Sequence, residues 1–173
     1  LASVDYLSIS AGTSRDNHMI VPPMDTPEGL YVDYAANIRA AVTLPVMAVG
    51  RLKNPQLAEE VIATGKADVV AQARALIADP FWVQKLNEKS PQQIRPCIGC
   101  NQGCFGYLYT NRPITCAVNP AVGHERTIGH GTETSSSGSV LVVGGGPAGM
   151  EAAIAARERG LEVTLAEASD TLG

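Results

Sequence analysis

The feature that most restricts the fold of this 173-residue chain is the placement of its cysteines. All four lie between Cys97 and Cys116, with the spacing C-x2-C-x3-C-x11-C, and they interrupt a regular succession of strand and helix patterns. In a chain otherwise rich in strand–helix units, such a cluster is more typical of a metal or cluster site than of disulfides. We therefore expect a reducing compartment, the cytoplasm.

The spacing favours an iron–sulfur cluster. Each iron of a [4Fe–4S] cubane binds one thiolate, so three close cysteines and a fourth that reaches back can enclose it. Gly99 and Gly103 relieve crowding and leave backbone N–H groups free for the sulfurs. A structural zinc site usually pairs two short cysteine knuckles, which fits poorly here, but zinc and free thiols remain alternatives. The candidate ligands are Cys97, Cys100, Cys104 and Cys116.

Strand and helix patterns alternate three times before the cysteines. Short apolar runs predict strands over residues 4–10, 45–49 and 67–73, and helical spacing predicts helices over 31–42, 56–64 and 79–86. Asn54 and Pro55 provide a helix N-cap and a first-turn proline, while residues 12–29 are predicted to form a loop. Such units imply parallel strands, in either a doubly wound sheet or the end of a (β/α)8 barrel.

Two arginines follow successive predicted strands directly. Arg51 comes after Gly50, and Arg74 comes after Ala73. Small residues let backbone N–H groups approach a phosphate, and an arginine adds a charge-assisted contact. Loops after the last two strands of a barrel commonly form such a phosphate site. The alternative is that both arginines are ordinary residues of the barrel rim.

The last part of the chain carries a nucleotide-binding pattern. A strand runs into G-x-G-x-x-G, a helix is predicted over residues 150–159, and a second strand over 162–166 ends in Glu167. Glycines permit a tight turn and a close approach of pyrophosphate, and the acidic residue is placed to accept from the ribose. The predicted Rossmann-like site consists of Gly144, Gly146, Ala148, Gly149 and Glu167.

Composition excludes some classes of function. Apolar residues make up 45% of the chain and charged residues 17%, so we expect a globular protein. The net charge of −4 gives no support for a nucleic-acid partner, and no apolar run is long enough to predict a membrane span. The polar residues 127–138 are predicted to form a linker. Because the chain opens inside a strand pattern and stops inside a nucleotide-binding pattern, we expect a fragment of a larger protein.

The cysteine segment also carries a resemblance. "IRPCIGCNQGC", followed by "ITCAVNP" and "GHE", resembles the cluster-binding segment of the old-yellow-enzyme-related iron–sulfur flavoproteins. This family includes 2,4-dienoyl-CoA reductase, 2-enoate reductase and trimethylamine dehydrogenase. The flanking sequences match in the same order, and "GGGPAG" is similar to the FAD-binding motif of disulfide-reductase-like flavoproteins.

The resemblance implies an α/β fold with several parts. Residues 1–90 would form the C-terminal part of an FMN-binding (β/α)8 TIM barrel, and residues 91–126 the [4Fe–4S] segment. After the linker, residues 139–173 would start a Rossmann-like FAD- or NAD(P)-binding domain. The resemblance also implies that Arg51, Ala73 and Arg74 contact FMN. His18 lies near a loop position that assists proton delivery in reductases, although a solvated histidine is the alternative.

The implied function is an NAD(P)H-dependent reduction of an activated C=C bond in an enoyl-CoA or enoate, through FAD, the cluster and FMN. The first alternative is a methylated-amine dehydrogenase or demethylase of the trimethylamine dehydrogenase type. The cysteine spacing matches the dienoyl-CoA reductase branch and differs from trimethylamine dehydrogenase at its second and third intervals. The second alternative, a non-catalytic zinc-bearing module, explains neither the two arginines nor the glycine motif. FAD and ADP are not distinguished in the second site.

Overall fold

Parallel strands form the framework of both parts of the chain. The computed structural model describes residues 4–128 and 137–173. Contacts divide the chain into two units, Leu1–Gly123 and His124–Gly173, and each is described by itself. Residues 129–136 of the predicted linker lie outside the described residues.

The three strands predicted before the cysteines form one parallel sheet. They are β1 (Leu7–Ile9), β2 (Val46–Ala48) and β3 (Val69–Val70), in that order across the sheet. Leu7 lies beside Val46, and Met47 lies beside Val69. Because the strands run in the same direction, the loops that follow them gather at one edge of the sheet. The sequences after β2 and β3 are therefore brought together.

Helices connect and follow these strands. They are α1 (Asn17–Ile20), α2 (Val32–Ala41), α3 (Pro55–Ala63), α4 (Arg74–Ala78) and α5 (Trp82–Asn87). The predicted cap of α3 is confirmed, because the Gln56 backbone N–H donates to Asn54 Oδ1 at 2.9 Å. α1 lies within residues 12–29, which the sequence predicts to be a loop. None of the described helices combines the length and the apolar character that a membrane span requires.

A small apolar core joins the sheet to α2 and α3. The central strand β2 is fully buried at Val46 and Ala48, whereas Val69, in the edge strand β3, is 43% exposed. Burying these side chains removes apolar surface from water and holds the strand ends in place. The buried core residues are Val32, Ala35, Val46, Ala48, Leu52, Val61 and Ala67.

The chain after β3 differs from the prediction. The sequence predicts one helix over residues 79–86, but the structure has two, and α4 already begins at Arg74. The residues of α4 are mostly good helix formers, and the helix starts shortly after β3 ends at Val70. Asp79 lies between the helices, where its carboxylate accepts from the Phe81 backbone N–H at 3.0 Å. It therefore forms the turn between α4 and α5.

Asp79 is also a buried attachment point for the segment that follows. Its carboxylate accepts from Lys85 Nζ at 2.6 Å and from the Arg95 backbone N–H at 2.8 Å, although only 2% of the residue is exposed. Burial raises the pKa of the Asp79 carboxyl, but hydrogen bonds from Lys85, Arg95 and Phe81 outweigh it, so the pKa lies below its ordinary value. The carboxylate is ionised at neutral pH and fastens the start of the cysteine segment to α5.

Replacing Asp79 by alanine is expected to lower the free energy of unfolding of the full-length protein by about 3 kcal/mol. The change removes the acceptor that the Lys85 ammonium shares with the backbone N–H groups of Phe81 and Arg95, while Lys85 keeps its bond to the Gln93 carbonyl oxygen. Urea denaturation measures the effect. Asp5→Ala, which removes an exposed carboxylate, is the matched control and should change the free energy of unfolding by less than about 0.5 kcal/mol. Equal effects of the two substitutions would contradict the role of Asp79.

The cysteine segment, predicted over residues 91–126, contains short helical turns. They are a 3₁₀ turn at Pro91–Gln93, a π-helix at Gln102–Gly106 and α6 (Tyr107–Tyr109). Asn119 is buried near the end of the segment, and its Nδ2 donates to the Ile77 carbonyl oxygen at 2.9 Å. Contacts at both ends, Asp79 with Arg95 and Asn119 with Ile77, thus attach the segment to α4 and to the turn that follows it.

The second unit contains a parallel strand pair. β4 (Ser139–Val143) is followed by α7 (Pro147–Glu158) and by β5 (Glu162–Ala166), with Val143 beside Ala166. The predicted succession of strand, glycine turn, helix and strand is confirmed. α7 begins at Pro147, three residues before the predicted start, because proline is well suited to the first helical turn. Both sheets show that the chain is a mixed α/β protein.

Candidate functional site

A cavity of about 550 Å³ lies at the C-terminal ends of β2 and β3. This volume is typical of sites for small molecules and cofactors. The cavity brings together the three residues that the resemblance assigns to FMN, and it also receives part of the cysteine segment. Its walls include Pro22, Arg51, Ala73, Arg74, Cys97 and Gly99.

Arg51 contributes a buried donor without an acceptor. Its Nη1 donates to the Pro23 carbonyl oxygen, but its Nε is buried and has no hydrogen-bond partner. A buried donor left unsatisfied costs about 1–3 kcal/mol, so an anionic oxygen at this position would be stabilised. Gly99 packs closely against the same guanidinium, because an added Cβ would lie 2.6 Å from Arg51 Nη1.

Arg74 brings a second positive charge to the cavity. Its Nη1 donates to the Pro22 carbonyl oxygen at 2.8 Å and to Asn101 Oδ1 at 2.6 Å. Burial lowers the pKa of the Arg74 guanidinium, nearby Arg51 lowers it further, and cysteine thiols oppose the shift. Two like charges without a carboxylate favour the binding of a phosphate. The ion pairs among the described residues involve other side chains: Arg39–Asp68, Lys53–Glu28 and Lys85–Asp79.

All four cysteines surround a second, smaller cavity. None forms a disulfide, and each is half-buried. The Gly99 backbone N–H donates to Cys97 Sγ at 3.4 Å, which is a contact of the kind that stabilises a thiolate. Within the described ranges, no three cysteine, histidine or acidic side chains are close enough to share one metal ion. The thiols that line the cavity are Cys97, Cys100, Cys104 and Cys116.

The fourth cysteine reaches the others through a close backbone contact. The Thr115 N–H donates to the Gly103 carbonyl oxygen at 2.8 Å, which joins the residues beside Cys104 and Cys116. A side chain at Gly103 would collide with Thr115, so only glycine permits this approach. Cys104 itself lies in the π-helix, a form of helix that is frequent at functional sites. The wide sequence gap between the third and fourth cysteines is therefore closed in space.

The two cavities share a wall. Arg74, Ile77, Cys97 and Cys104 line both of them. An occupant of the larger cavity would therefore lie against the residues that surround the thiols. This arrangement suits two redox groups, because electron transfer requires them to be near each other.

The glycine motif of the second unit forms a tight turn between β4 and α7. Gly144 has φ of +102°, and a side chain at Gly149 would collide with the Gly144 carbonyl oxygen. The helix therefore begins directly against the turn, as the spacing of the glycines predicts. Ala148 is exposed in the first turn of α7, and Gly146 precedes the helix as its N-cap.

Glu167 holds this turn and the loop that follows β5. Its Oε2 accepts from the Gly145 N–H at 2.6 Å, and its Oε1 accepts from the N–H groups of Ala168 and Ser169 at 2.7 and 2.9 Å. Hydrogen bonds from Ser169 and then from Gly145 are the largest causes that lower the pKa of the carboxyl to about 2. The prediction of a ribose contact is thus joined by a structural role that the sequence did not indicate.

The low pKa of Glu167 has a testable consequence. Because the pKa in the folded state is depressed from 4.5, the stabilisation of the turn by the carboxylate is present above pH 4.5 and is lost as the pH falls through about 2. Glu167→Gln should therefore increase hydrogen exchange at the Gly145 amide by a factor that stays nearly constant between pH 7 and pH 5.5. Exchange mass spectrometry of the full-length protein measures it, with Glu158→Gln as the control. A factor that declines severalfold between pH 7 and pH 5.5 would contradict the assignment.

Comparison with known proteins agrees with this geometry. Residues 18–93 match the family described as NADH:flavin oxidoreductase / NADH oxidase. The chain belongs to this NADH:flavin oxidoreductase family. Residues 139–173 match a second family, FAD dependent oxidoreductase, which covers the glycine turn and Glu167. The match to both families indicates flavin binding in both units.

Curated relatives of the family match almost the whole chain. A metal reductase of Desulforamulus reducens is 45% identical over 87% of the chain and 22% of the relative. An NADH oxidase of Thermoanaerobacter brockii is 42% identical over 99% of the chain and 27% of the relative. A cinnamate reductase of Clostridium sporogenes is 38% identical over 99% of the chain and 26% of the relative. The chain thus spans about a quarter of the length of these relatives.

Solved structures of the family have the same fold. A 2-naphthoyl-CoA reductase in complex with 2-naphthoyl-CoA matches with a TM-score of 0.89 and 35% identity, over 99% of the chain and 26% of the neighbour. A histamine dehydrogenase from Rhizobium sp. 4-9 matches with a TM-score of 0.86 and 36% identity, over 98% of the chain and 25% of the neighbour. Reductases and dehydrogenases are therefore both similar to this chain.

Three residues of this chain of the NADH:flavin oxidoreductase family lie at or near the large cavity, and the sequence predicted a role for only one of them. His18 is exposed on α1, two residues before the cavity wall at Ile20, and its role stays a prediction. Gln72 lines the large cavity and donates to the Leu52 carbonyl oxygen, a position that the sequence analysis did not predict. Asn101 was missed, although an asparagine between two cysteines is a signal for a left-handed backbone position.

Proposed function

We propose that the protein is an NAD(P)H-dependent oxidoreductase that uses FMN, FAD and a [4Fe–4S] cluster to reduce an activated C=C bond in an enoyl-CoA or enoate. The observation that carries this proposal is the wall shared by the two cavities. One cavity contains two arginines without acidic partners, and the other is surrounded by four thiols. A binding module without catalysis would not need a cofactor-sized cavity beside the thiols.

The residues of the first unit fit FMN and the cluster. Arg51 and Arg74 would bind the phosphate of FMN with charge-assisted hydrogen bonds, and Ala73 would let its backbone approach. The four cysteines would hold the cluster as thiolates, one on each iron. The flavins exchange two electrons with NAD(P)H and substrate, and the cluster transfers single electrons between them. The sheet β1–β3 would belong to the C-terminal part of a (β/α)8 barrel, and the free thiols support a reducing compartment, the cytoplasm.

The second unit fits the ADP half of FAD. The N-terminus of α7 would face the pyrophosphate, and the glycine turn would leave room for it. Glu167 would accept from a ribose hydroxyl in exchange for one of its loop donors, since a carboxylate has about four acceptor positions. The chain would thereby start a domain that binds FAD and exchanges electrons with NAD(P)H.

A second candidate is a methylated-amine dehydrogenase. The similarity to a histamine dehydrogenase supports an amine as the substrate of this candidate. The cysteine spacing supports the reductase instead, because it matches the dienoyl-CoA reductase branch. The two candidates would use FMN and the [4Fe–4S] cluster in opposite directions, so the presence of these two cofactors does not separate them.

Anaerobic stopped-flow spectroscopy of the full-length protein tests the direction. NAD(P)H is expected to bleach the flavin absorbance, and an α,β-unsaturated acyl thioester is expected to restore it with formation of the saturated product. A methylated amine, mixed in parallel with the oxidised protein, should cause no bleaching. Bleaching by the amine without a response to NAD(P)H would overturn the reductase assignment in favour of the dehydrogenase.

Glu167→Ala is expected to lower the FAD content of the full-length protein severalfold and to leave its FMN content unchanged. The reason is that Glu167 shapes the glycine turn of one unit, while the arginines lie in the other. Acid extraction followed by separation of the flavins measures both contents. A protein that releases ADP in place of FAD would strengthen the amine dehydrogenase candidate, and a parallel loss of FMN would argue against separate sites.

A further inference from the structure

Asn101 occupies an unusual backbone position between two of the cysteines. Its φ of +57° is in the left-handed region, and its carbonyl oxygen accepts from the Gly106 N–H at 2.8 Å across the π-helix. Asparagine adopts this conformation at lower cost than most residues. Both side-chain amide atoms are bonded outside the cysteine segment, to Val21 and to Arg74.

The side-chain amide of Asn101 joins three parts of the first unit. Its Nδ2 donates to the Val21 carbonyl oxygen at 2.8 Å, and its Oδ1 accepts from Arg74 Nη1 at 2.6 Å. A carbonyl can only accept and a guanidinium can only donate, so the orientation of the amide is fixed by its partners. Asn101 thus connects the loop after β1, the start of α4 and the cysteine segment.

The guanidinium that Asn101 holds lies in the wall between the two cavities. Arg74 lines the smaller cavity together with Cys97, Cys100 and Cys104. Arg74 forms no ion pair among the described residues, so its charge is not neutralised by a carboxylate. A positive charge beside a cluster stabilises the reduced form, which carries one more negative charge, and raises the reduction potential.

We infer that Asn101 is a positioning residue that holds Arg74 against the thiol cavity and thereby raises the reduction potential of the cluster. The inference rests on the proposed function, because it requires a cluster at the four cysteines. It assigns to Asn101 a role in setting the driving force between the cluster and the flavin. Arg74 would act on both cofactors: it would contact the phosphate of FMN in the larger cavity and would place a positive charge beside the cluster in the smaller one.

The test is Asn101→Gly in the full-length protein. Glycine keeps the left-handed backbone and removes the amide, so the effect of the side chain is isolated. Releasing Arg74 is expected to change the equilibrium for one-electron reduction of the cluster about tenfold, a fall of about 59 mV in its potential. Anaerobic redox titration followed by electron paramagnetic resonance measures it. Asn111→Gly is the matched control, since Asn111 is exposed and has φ of +53°, and it should not shift the potential.

A second variant shows whether Asn101 acts through Arg74. In an Arg74→Gln background, which itself should have a lowered potential, Asn101→Gly is expected to cause no further fall. Equal potentials in the wild type, Asn101→Gly and Arg74→Gln would overturn the inference while leaving the proposed function intact. If Asn101→Gly does not retain a cluster, Arg74→Gln decides, and an unchanged potential there overturns the inference. A wild-type protein without iron and sulfide would overturn the proposed function instead.

Discussion

Replacing any one of the four cysteines by serine is expected to remove the iron–sulfur cluster from the full-length protein. The wild-type protein, purified without oxygen, should contain about four iron atoms and four acid-labile sulfides per chain. In the proposed cluster each thiolate would bind a different iron, so the loss of one ligand would open the cubane at that corner. The iron content of each variant should fall to less than about half. The four variants are Cys97→Ser, Cys100→Ser, Cys104→Ser and Cys116→Ser.

The controls for this experiment distinguish a cluster from other uses of the thiols. Gln102→Ser changes an exposed residue of the same π-helix and should keep the full iron and sulfide content. Zinc in the wild-type protein, without sulfide, would falsify the cluster and favour a structural metal site. Cys116→Ser is the most informative variant, because Cys116 is far from the others in sequence and lies next to Thr115, whose N–H donates to the Gly103 carbonyl oxygen.

Arg74→Ala is expected to weaken FMN binding by the full-length protein. The change would remove the proposed charge-assisted phosphate contact, worth about 1.5–3 kcal/mol, which corresponds to a roughly ten- to hundredfold higher Kd. Flavin fluorescence after serial dilution measures the release of FMN. Arg39→Ala is the matched control, since its guanidinium is already paired with Asp68 at 2.9 Å, and it should retain FMN. If FMN occupancy is the same in both variants, Arg74 is only a residue of the rim.

The regular parts of the fold were predictable because they depend on local patterns. Parallel strands follow from short apolar runs that alternate with helices, and β5 has the predicted bounds. The cap of α3 was equally predictable from the sequence, because Asn54 and Pro55 act on the residues next to them. Helix starts were less certain. α4 begins at Arg74 without a capping side chain, so no sequence signal marks its first residue.

The sequence predicted which residue types form the candidate site, but it did not predict the hydrogen bonds that hold them together. Cysteines and glycines at suitable spacing indicate a cluster and a nucleotide, because those ligands require these residues. The contacts of Asn101 with Val21 and Arg74 join residues far apart in the sequence, and no local sequence pattern predicts these contacts. The π-helix around Cys104 was missed for a related reason, since its wider turn reflects the site rather than helix propensity.

The attachment of the cysteine segment at both ends has a consequence for maturation. Bonds between Asp79 and Arg95 and between Asn119 and Ile77 restrict the segment without help from iron. Much of the entropy of closing this loop is therefore already lost when the polypeptide folds. We expect a newly synthesised chain to contain a nearly formed binding site to which the proposed cluster can be delivered already assembled. Protein produced under iron starvation should accordingly be repaired by anaerobic reconstitution with iron and sulfide, without a cycle of unfolding and refolding.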